Sequence, residues 1–262
     1  MCLLLLAWKV HPRYELLLAA NRDELHARPT AALDFWADTP CVLGGRVLGG
    51  RDLVAAGTWL AARSDGRFAA VTNFRDESTP AAGMRSRGEL VMRYFDSGLA
   101  PDAFTGRLAA DQSLYAGFNL IVGDSQHLCY ASNRSEQFAQ QLEPGLHALS
   151  NHRLGTPWPK VTRGLHALRA SVDAGSSELE PLFEAMLEQH PGAADPAHPS
   201  ENLVWPANSG PFIVGEAFGT RATTLMWRDG TRQTRMEERR FGPQGKPDGR
   251  TCIMLAATGA SA

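Results

Sequence analysis

What this 262-residue chain lacks narrows its identity before any motif is read. Its four cysteines, Cys2, Cys41, Cys129 and Cys252, lie far apart, with no CxxC pair and no histidine at ligand spacing. That excludes a disulfide framework and a zinc ribbon, and it fits a reducing cytoplasm. Long apolar runs are also missing. The N-terminal run from Cys2 to Trp8 has no basic residue ahead of it and meets Lys9 too early for a signal peptide or a transmembrane segment. Neither sign of charge dominates: 26 Lys and Arg stand against 28 Asp and Glu, scattered along the chain. Nucleic acid is therefore not an expected partner. No H-E-x-x-H pair and no G-x-S-x-G elbow occur, so zinc-hydrolase and serine-hydrolase chemistry fall away. The stretch Gly44-Gly45-Arg46-Val47-Leu48-Gly49-Gly50 lacks the Gly-Lys-Ser/Thr ending of a phosphate loop and reads as turns.

What is present is a series of hairpins with helices between them. A chain of this length buries about three quarters of its unfolded surface, so one domain over residues 1–262 is expected without staples. Cys2 to Val10 and Glu15 to Ala20 read as strands joined by a turn at Pro12. Asp65-Gly66 and Asp229-Gly230 each separate two strand-like runs and predict tight two-residue turns with positive φ. Phe118 to Gly123 and Gln126 to Ser132 form a further pair. Ser86 and Glu89 have capping-box spacing ahead of the stripe Leu90, Val91, Tyr94 and Phe95. Thr156-Pro157 predicts a helix start ahead of Val161, Leu165, Leu168 and Val172. A third helix is expected from about Pro181 to Gln189, through Leu182, Phe183, Met186 and Leu187. Residues 191–211 read as a long loop, and the tail from Gly242 as irregular.

Cys2 is the first candidate for chemistry. Loss of Met1, which a small second residue permits, leaves one residue carrying both a thiol nucleophile and a free α-amine able to take its proton. Pairing Val10 with Glu15 would set Cys2 opposite Asp23 and beside Arg22. A guanidinium there favours thiolate, and a carboxylate orients the ammonium. The plainer reading is a small buried cysteine opening a strand.

Met1-Cys2 followed by Asn21-Arg22-Asp23-Glu24 resembles the NRDE family, the transport and Golgi organisation 2 protein family. Further matches run in order: Gly57-Thr58-Trp59-Leu60, Thr72-Asn73-Phe74-Arg75, Ser86-Arg87-Gly88, Gly117-Phe118-Asn119-Leu120, Leu149-Ser150-Asn151, Pro157-Trp158-Pro159-Lys160 and Gly219-Thr220-Arg221. The resemblance implies a four-layer α/β/β/α sandwich of mostly antiparallel sheets, like that of N-terminal-nucleophile hydrolases. A more distant likeness to bile-salt hydrolases and penicillin V acylases implies roles residue by residue. Cys2 would be nucleophile and, through its amine, base. Arg22 and Asp23 would set its ionisation and orientation, Asn73 and Asn151 would donate to an oxyanion, and Arg221 would complete the cluster. Arg22 and Asp23 are adjacent, so both can face Cys2 only if the strand bends or ends there. Asn73 and Asn151 also suit plain backbone bonding in turns, and Arg75 a solvated charge. Trp59, Trp158 and Phe118 read as packing.

Two functions follow. One is hydrolysis of a non-peptide C–N amide in a small or lipid-like substrate by an N-terminal cysteine amidohydrolase, which needs no cofactor or metal. The other, also implied by the resemblance, is a non-catalytic carrier or chaperone with haem or an acyl lipid as cargo. There is no C-x-x-C-H and no Cys-Pro pair to mark haem ligands.

Overall fold

The computed structural model describes residues 2–37, 45–76, 83–189, 210–231 and 233–256. Numbered in chain order, one antiparallel sheet places side by side Gly145–Leu149 (β10), Cys2–Trp8 (β1), Tyr14–Leu25 (β2), Phe218–Asp229 (β11), Thr234–Phe241 (β12) and Pro247–Leu255 (β13). The second sheet follows the chain: Thr30–Phe35 (β3), Val47–Asp52 (β4), Leu60–Arg63 (β5), Phe68–Asn73 (β6), Phe118–Gly123 (β7), Leu128–Ser132 (β8) and Ala139–Gln141 (β9).

β1 and β2 lie inside their sheet and are buried on both faces. Leu4, Leu6, Trp8, Leu16 and Leu18 point between the sheets and meet Leu33, Leu48, Leu60, Phe68 and Ile121. Leu3, Leu5, Ala7, Leu17 and Ala19 point the other way, onto helices Pro159–Ala174 (α3) and Glu180–Met186 (α4) through Val161, Leu168, Leu182 and Phe183. Burial on two faces is why this stretch reads as an unbroken apolar run instead of an alternation. The outer face of the second sheet is covered by Glu89–Ser97 (α1) and Pro101–Leu108 (α2), with Leu90, Tyr94, Phe95 and Phe104 packed beside Val71, Leu120 and Val122. The layers run helix, sheet, sheet, helix, which is the expected α/β/β/α sandwich. Among the described residues no helix is long and apolar enough to cross a membrane.

Several local expectations are corrected. In the first hairpin Trp8, not Val10, is the last paired residue, opposite Leu16; Lys9 turns the chain at φ 53° and its N–H donates to Glu15 O (2.8 Å). The register moves by one, and Cys2 sits opposite Arg22 instead of Asp23. At Asp65-Gly66 the connection is a three-residue loop closed by Arg63 N–H to Arg67 O (2.8 Å), and only Gly66 has positive φ (89°). The β11–β12 ladder ends at Arg228 and Thr234, and Asp229 accepts the Thr231 N–H (2.9 Å) with no positive φ at Gly230.

Two helix starts also differ. No capping box forms: α1 begins at Glu89, whose carboxylate takes the Tyr115 hydroxyl and Arg85 Nε (2.6 Å). α3 begins two residues later than Thr156-Pro157 suggested, with Pro159 in its first position. Nor is the glycine-rich stretch all turn, because Gly49 and Gly50 lie in β4. A Cβ on Gly50 would stand 2.5 Å from the Trp59 ring, and one on Gly49 2.7 Å from Leu60 O, so close approach selects glycine. The tail is not irregular beyond Lys246: β13 pairs with β12 from Phe241 opposite Pro247 to Thr234 opposite Leu255. As an exposed edge strand with polar residues, it has no apolar alternation to announce it. The long loop lies outside the described residues up to position 209.

Candidate active site

Cys2 opens β1 at one end of the sandwich and is half-buried. Its N–H donates to Asn151 Oδ1 (2.8 Å), and its carbonyl accepts from Ser150 Oγ (2.7 Å) and Lys160 Nζ (3.5 Å). The nitrogen is the amide that follows Met1; loss of Met1 makes the same atom the α-amine.

Arg22 is the cross-strand partner of Cys2 and shares its face, between the sheets. Its side chain is 5% exposed, and its guanidinium lies 4.3 Å from the centre of the Trp59 ring. Glu24 and Asp52 stand 3.7 and 3.6 Å from Nη2, and Thr30 Oγ1 accepts from Nη1 (3.3 Å). Burial pushes the Arg22 pKa down, and Glu24, Cys2 and Asp52 hold it up, so the guanidinium keeps its charge.

The strand does not end at Asn21-Arg22-Asp23-Glu24; β2 runs on to Leu25, and Asp23 pairs with Thr220 on the opposite face from Arg22. There, 4% exposed, it accepts a hydrogen bond from Thr220 Oγ1 (2.6 Å) and faces Lys160 of α3. Burial pushes the Asp23 carboxyl up, with Lys160 and Thr220 among the groups that oppose it. Lys160 is 4% exposed as well, and burial pushes its ammonium down against the pull of Asp23 and Cys2.

The segment carrying Ser150 and Asn151 is held from below by Asn119, fully buried on β7. Asn119 Nδ2 donates to Thr72 Oγ1 (3.2 Å) and His152 O (3.0 Å), and its Oδ1 accepts from Tyr130 (2.7 Å). Asn151 Nδ2 in turn donates to Asn73 O (2.8 Å), while the Asn73 residue itself is exposed. The Arg75 N–H donates to Asn151 O (2.7 Å). Arg221 occupies a bulge in β11 beside Arg22, and its Nη1 donates to Thr30 Oγ1 (3.1 Å), Leu25 O (3.4 Å) and Arg28 O. The structure therefore gathers Cys2, Arg22, Asp23, Asn73 and Asn151 at one end of the sheets and sets Arg221 behind Arg22, its guanidinium bonded to the turn that follows β2. Among the described residues no group of three or more His, Cys, Asp or Glu is placed to hold a metal ion.

Residues 1–243 match the family described as Transport and Golgi organisation 2. The chain belongs to that family. Within the Transport and Golgi organisation 2 family it is 30% identical over 261 residues to the Transport and Golgi organization 2 homolog of Mus musculus, covering 91% of this chain and 92% of that one. To the Transport and Golgi organization protein 2 homolog of Bos taurus it is 36% identical over 184 residues, covering 67% of this chain and 66% of that one. Among solved structures it is similar to the C2A mutant of the conjugated bile acid hydrolase from Clostridium perfringens. The TM-score is 0.51 at 9% identity, over 97% of this chain and 92% of that one. At that identity the likeness is one of fold: the sandwich is that of the N-terminal-nucleophile hydrolases.

Three residues near Cys2 had no assigned role in the sequence. Lys160 had a signal: with Gly164 and Leu168 it falls on the buried stripe of α3 at four-residue spacing, where a lysine is out of place. Gly164 lets α3 approach so closely that a Cβ there would stand 2.7 Å from Leu5. Arg87, largely buried before α1, donates to Gly117 O (3.2 Å); burial pushes its pKa down, opposed by Cys2, Glu24 and Asp76. Asn119 sat in a recognised motif, but only the fold shows that it bonds the Cys2-binding segment.

Proposed function

We propose that, once Met1 is removed, the Cys2 centre hydrolyses a non-peptide C–N amide of a small or lipid-like molecule through a thioester. One observation carries this reading. Three ionisable side chains, Arg22, Asp23 and Lys160, are each at least nine-tenths buried around a single half-buried cysteine. Burying charge is costly, and a wall built only to hold an apolar cargo gains nothing from it.

In the proposed cycle the Cys2 sulfur attacks the carbonyl carbon while its proton passes to the α-amine held by Asn151. Arg22, on the face of the thiol, sets a guanidinium beside the attacking sulfur. The exposed Asn73 amide donates to the developing oxyanion, and Asn151, bonded to Cys2 N and Asn73 O, positions both partners. The C–N bond breaks as the leaving nitrogen takes the proton from the α-ammonium. Water, deprotonated by the free amine, then cleaves the thioester and restores the thiol.

The test runs an amide panel and a haem titration side by side on processed wild type and Cys2→Ala. Turnover by wild type should fall by several orders of magnitude in Cys2→Ala while substrate affinity stays close to wild type, because the lost interaction belongs to the transition state. If wild type cleaves no amide and both proteins bind and pass on haem equally, the catalytic reading is wrong and the carrier reading replaces it.

A further inference from the structure

Lys160 is one of three ionisable side chains buried at this end of the molecule, and the cycle above gives it no task. It stands in the first turn of α3, where the unpaired N–H groups already place positive potential, so an ammonium there is disfavoured even before burial. It is 4% exposed, its Nζ lies 3.5 Å from Cys2 O, and Asp23 and Cys2 are the groups that favour its charge. Within one residue the backbone nitrogen and carbonyl oxygen are at most about 3.6 Å apart, so Nζ is within roughly 7 Å of Cys2 N.

The nitrogen itself donates to the neutral Asn151, and the charged groups near Cys2 come from several elements. Asp23 and Lys160 lie on the helix side, from β2 and α3; Arg22 lies between the sheets, from β2, with Glu24, Asp52 and Arg221 behind it; Arg87 comes from the turn before α1. A buried ammonium this close opposes protonation of a second amine, while Asp23 supports it.

We propose that Lys160 is a positioning residue whose charge keeps the α-amine of processed Cys2 in its neutral, proton-accepting form. Asp23 makes the burial of Lys160 tolerable and orients the same amine, so the two act as one charge-balanced pair. The inference rests on the catalytic reading for its purpose, but its test needs no substrate.

The amine is titrated directly, by trace acetylation of the N-terminus across pH 5–10 with the Cys2 thiol capped as its S-methyl disulfide. Intact mass first establishes loss of Met1. A unit charge at about 7 Å in an effective dielectric of about 20 should shift the amine by about one unit or more. Lys160→Gln should therefore raise the midpoint by that amount, and Lys160→Arg should leave it near wild type. Because Lys160→Gln removes a positive charge that faces the buried Asp23 carboxylate, the same comparison is made between Asp23→Asn and Asp23→Asn/Lys160→Gln, so that a folded pair isolates the lysine charge. A midpoint unmoved by Lys160→Gln in either background overturns the inference and leaves the catalytic reading standing. Retention of Met1 in the purified protein overturns both. An amine tuned by Lys160 in a protein that cleaves no amide upholds the inference and removes only its purpose.

Discussion

The described cysteines, Cys2, Cys129 and Cys252, differ in surroundings, and those surroundings decide what each can do. Cys2 is half-buried at the polar end of the sandwich, Cys252 is exposed on the edge strand β13, and Cys129 lies at 1% exposure in the apolar layer beneath α2. Burial pushes the Cys129 thiol up to about 11, with Asp102 and Asp124 acting in the same direction. Native protein treated with iodoacetamide at pH 7.5 should leave Cys129 unmodified while Cys252 is fully carbamidomethylated, as peptide mass spectrometry would show. Labelling of Cys129 as fast as Cys252 would mean that this layer opens readily. Residue type alone was enough to single out Cys2 in the sequence as the candidate for chemistry. It was not enough for Asn73 and Asn151. Asn73 ends β6 and Asn151 lies in the bend after β10, and only the tertiary structure bonds Asn151 to the Cys2 nitrogen and leaves Asn73 exposed.

At the scale of elements, the strands and helices were visible and their ends were not. The β5–β6 connection shows why. Asp65 was read as half of a two-residue turn, yet its carboxylate is taken by Arg63 (3.0 Å to Nε), and that side-chain pairing goes with a three-residue loop. Gly66 alone needs the left-handed region, at φ 89°, and the nearest atom to a Cβ there would be Arg228 Nη1 at an ordinary 3.7 Å. The penalty for a side chain is therefore conformational. Gly66→Val should cost about 1–2 kcal/mol of stability, or several degrees of Tm, with Gly66→Asn costing less. Equal Tm values for wild type and Gly66→Val would show the turn to be free to rearrange. Arg228 adds a tertiary constraint that local turn chemistry does not contain: from β11, 1% exposed, it donates to Gly66 O (2.7 Å) and to Asp124 O (2.9 Å), tying two hairpin turns of the second sheet to the first.

For the whole molecule, the two sheets are joined by apolar packing and by a few buried polar bridges. Glu238 on β12 is one of them. It is 2% exposed and accepts the Leu33 N–H of β3 (2.9 Å) across the inter-sheet layer. Burial pushes its carboxyl up, against the Leu33 bond and Arg240. A raised folded value means that the folded protein holds this proton more tightly than the unfolded chain. That contribution is fully present below the ordinary carboxylate range near pH 4 and is lost as pH rises through the folded value. Glu238→Gln keeps the acceptor and has no such loss. Urea unfolding at pH 5 and pH 7.5 should therefore show the variant gaining on wild type as pH rises; parallel pH curves would refute the burial argument.

The sequence by itself determined the layers, because hydrophobic period is a local property: unbroken runs such as Leu3 to Trp8 require burial on two faces, and stripes such as Leu90, Val91, Tyr94 and Phe95 require one covered face. It also determined the family, through short motifs spread along the chain, and with them the list of polar residues that could surround Cys2. Only the tertiary structure decided how those residues divide. A register one residue from that expected put Arg22 opposite Cys2, and the pleat then sent Asp23 to the far face, where Lys160 meets it. That meeting joins positions 23 and 160 of the chain. No local period or spacing encodes it, because the close approach of α3 to β1 is set by packing between side chains far apart in sequence.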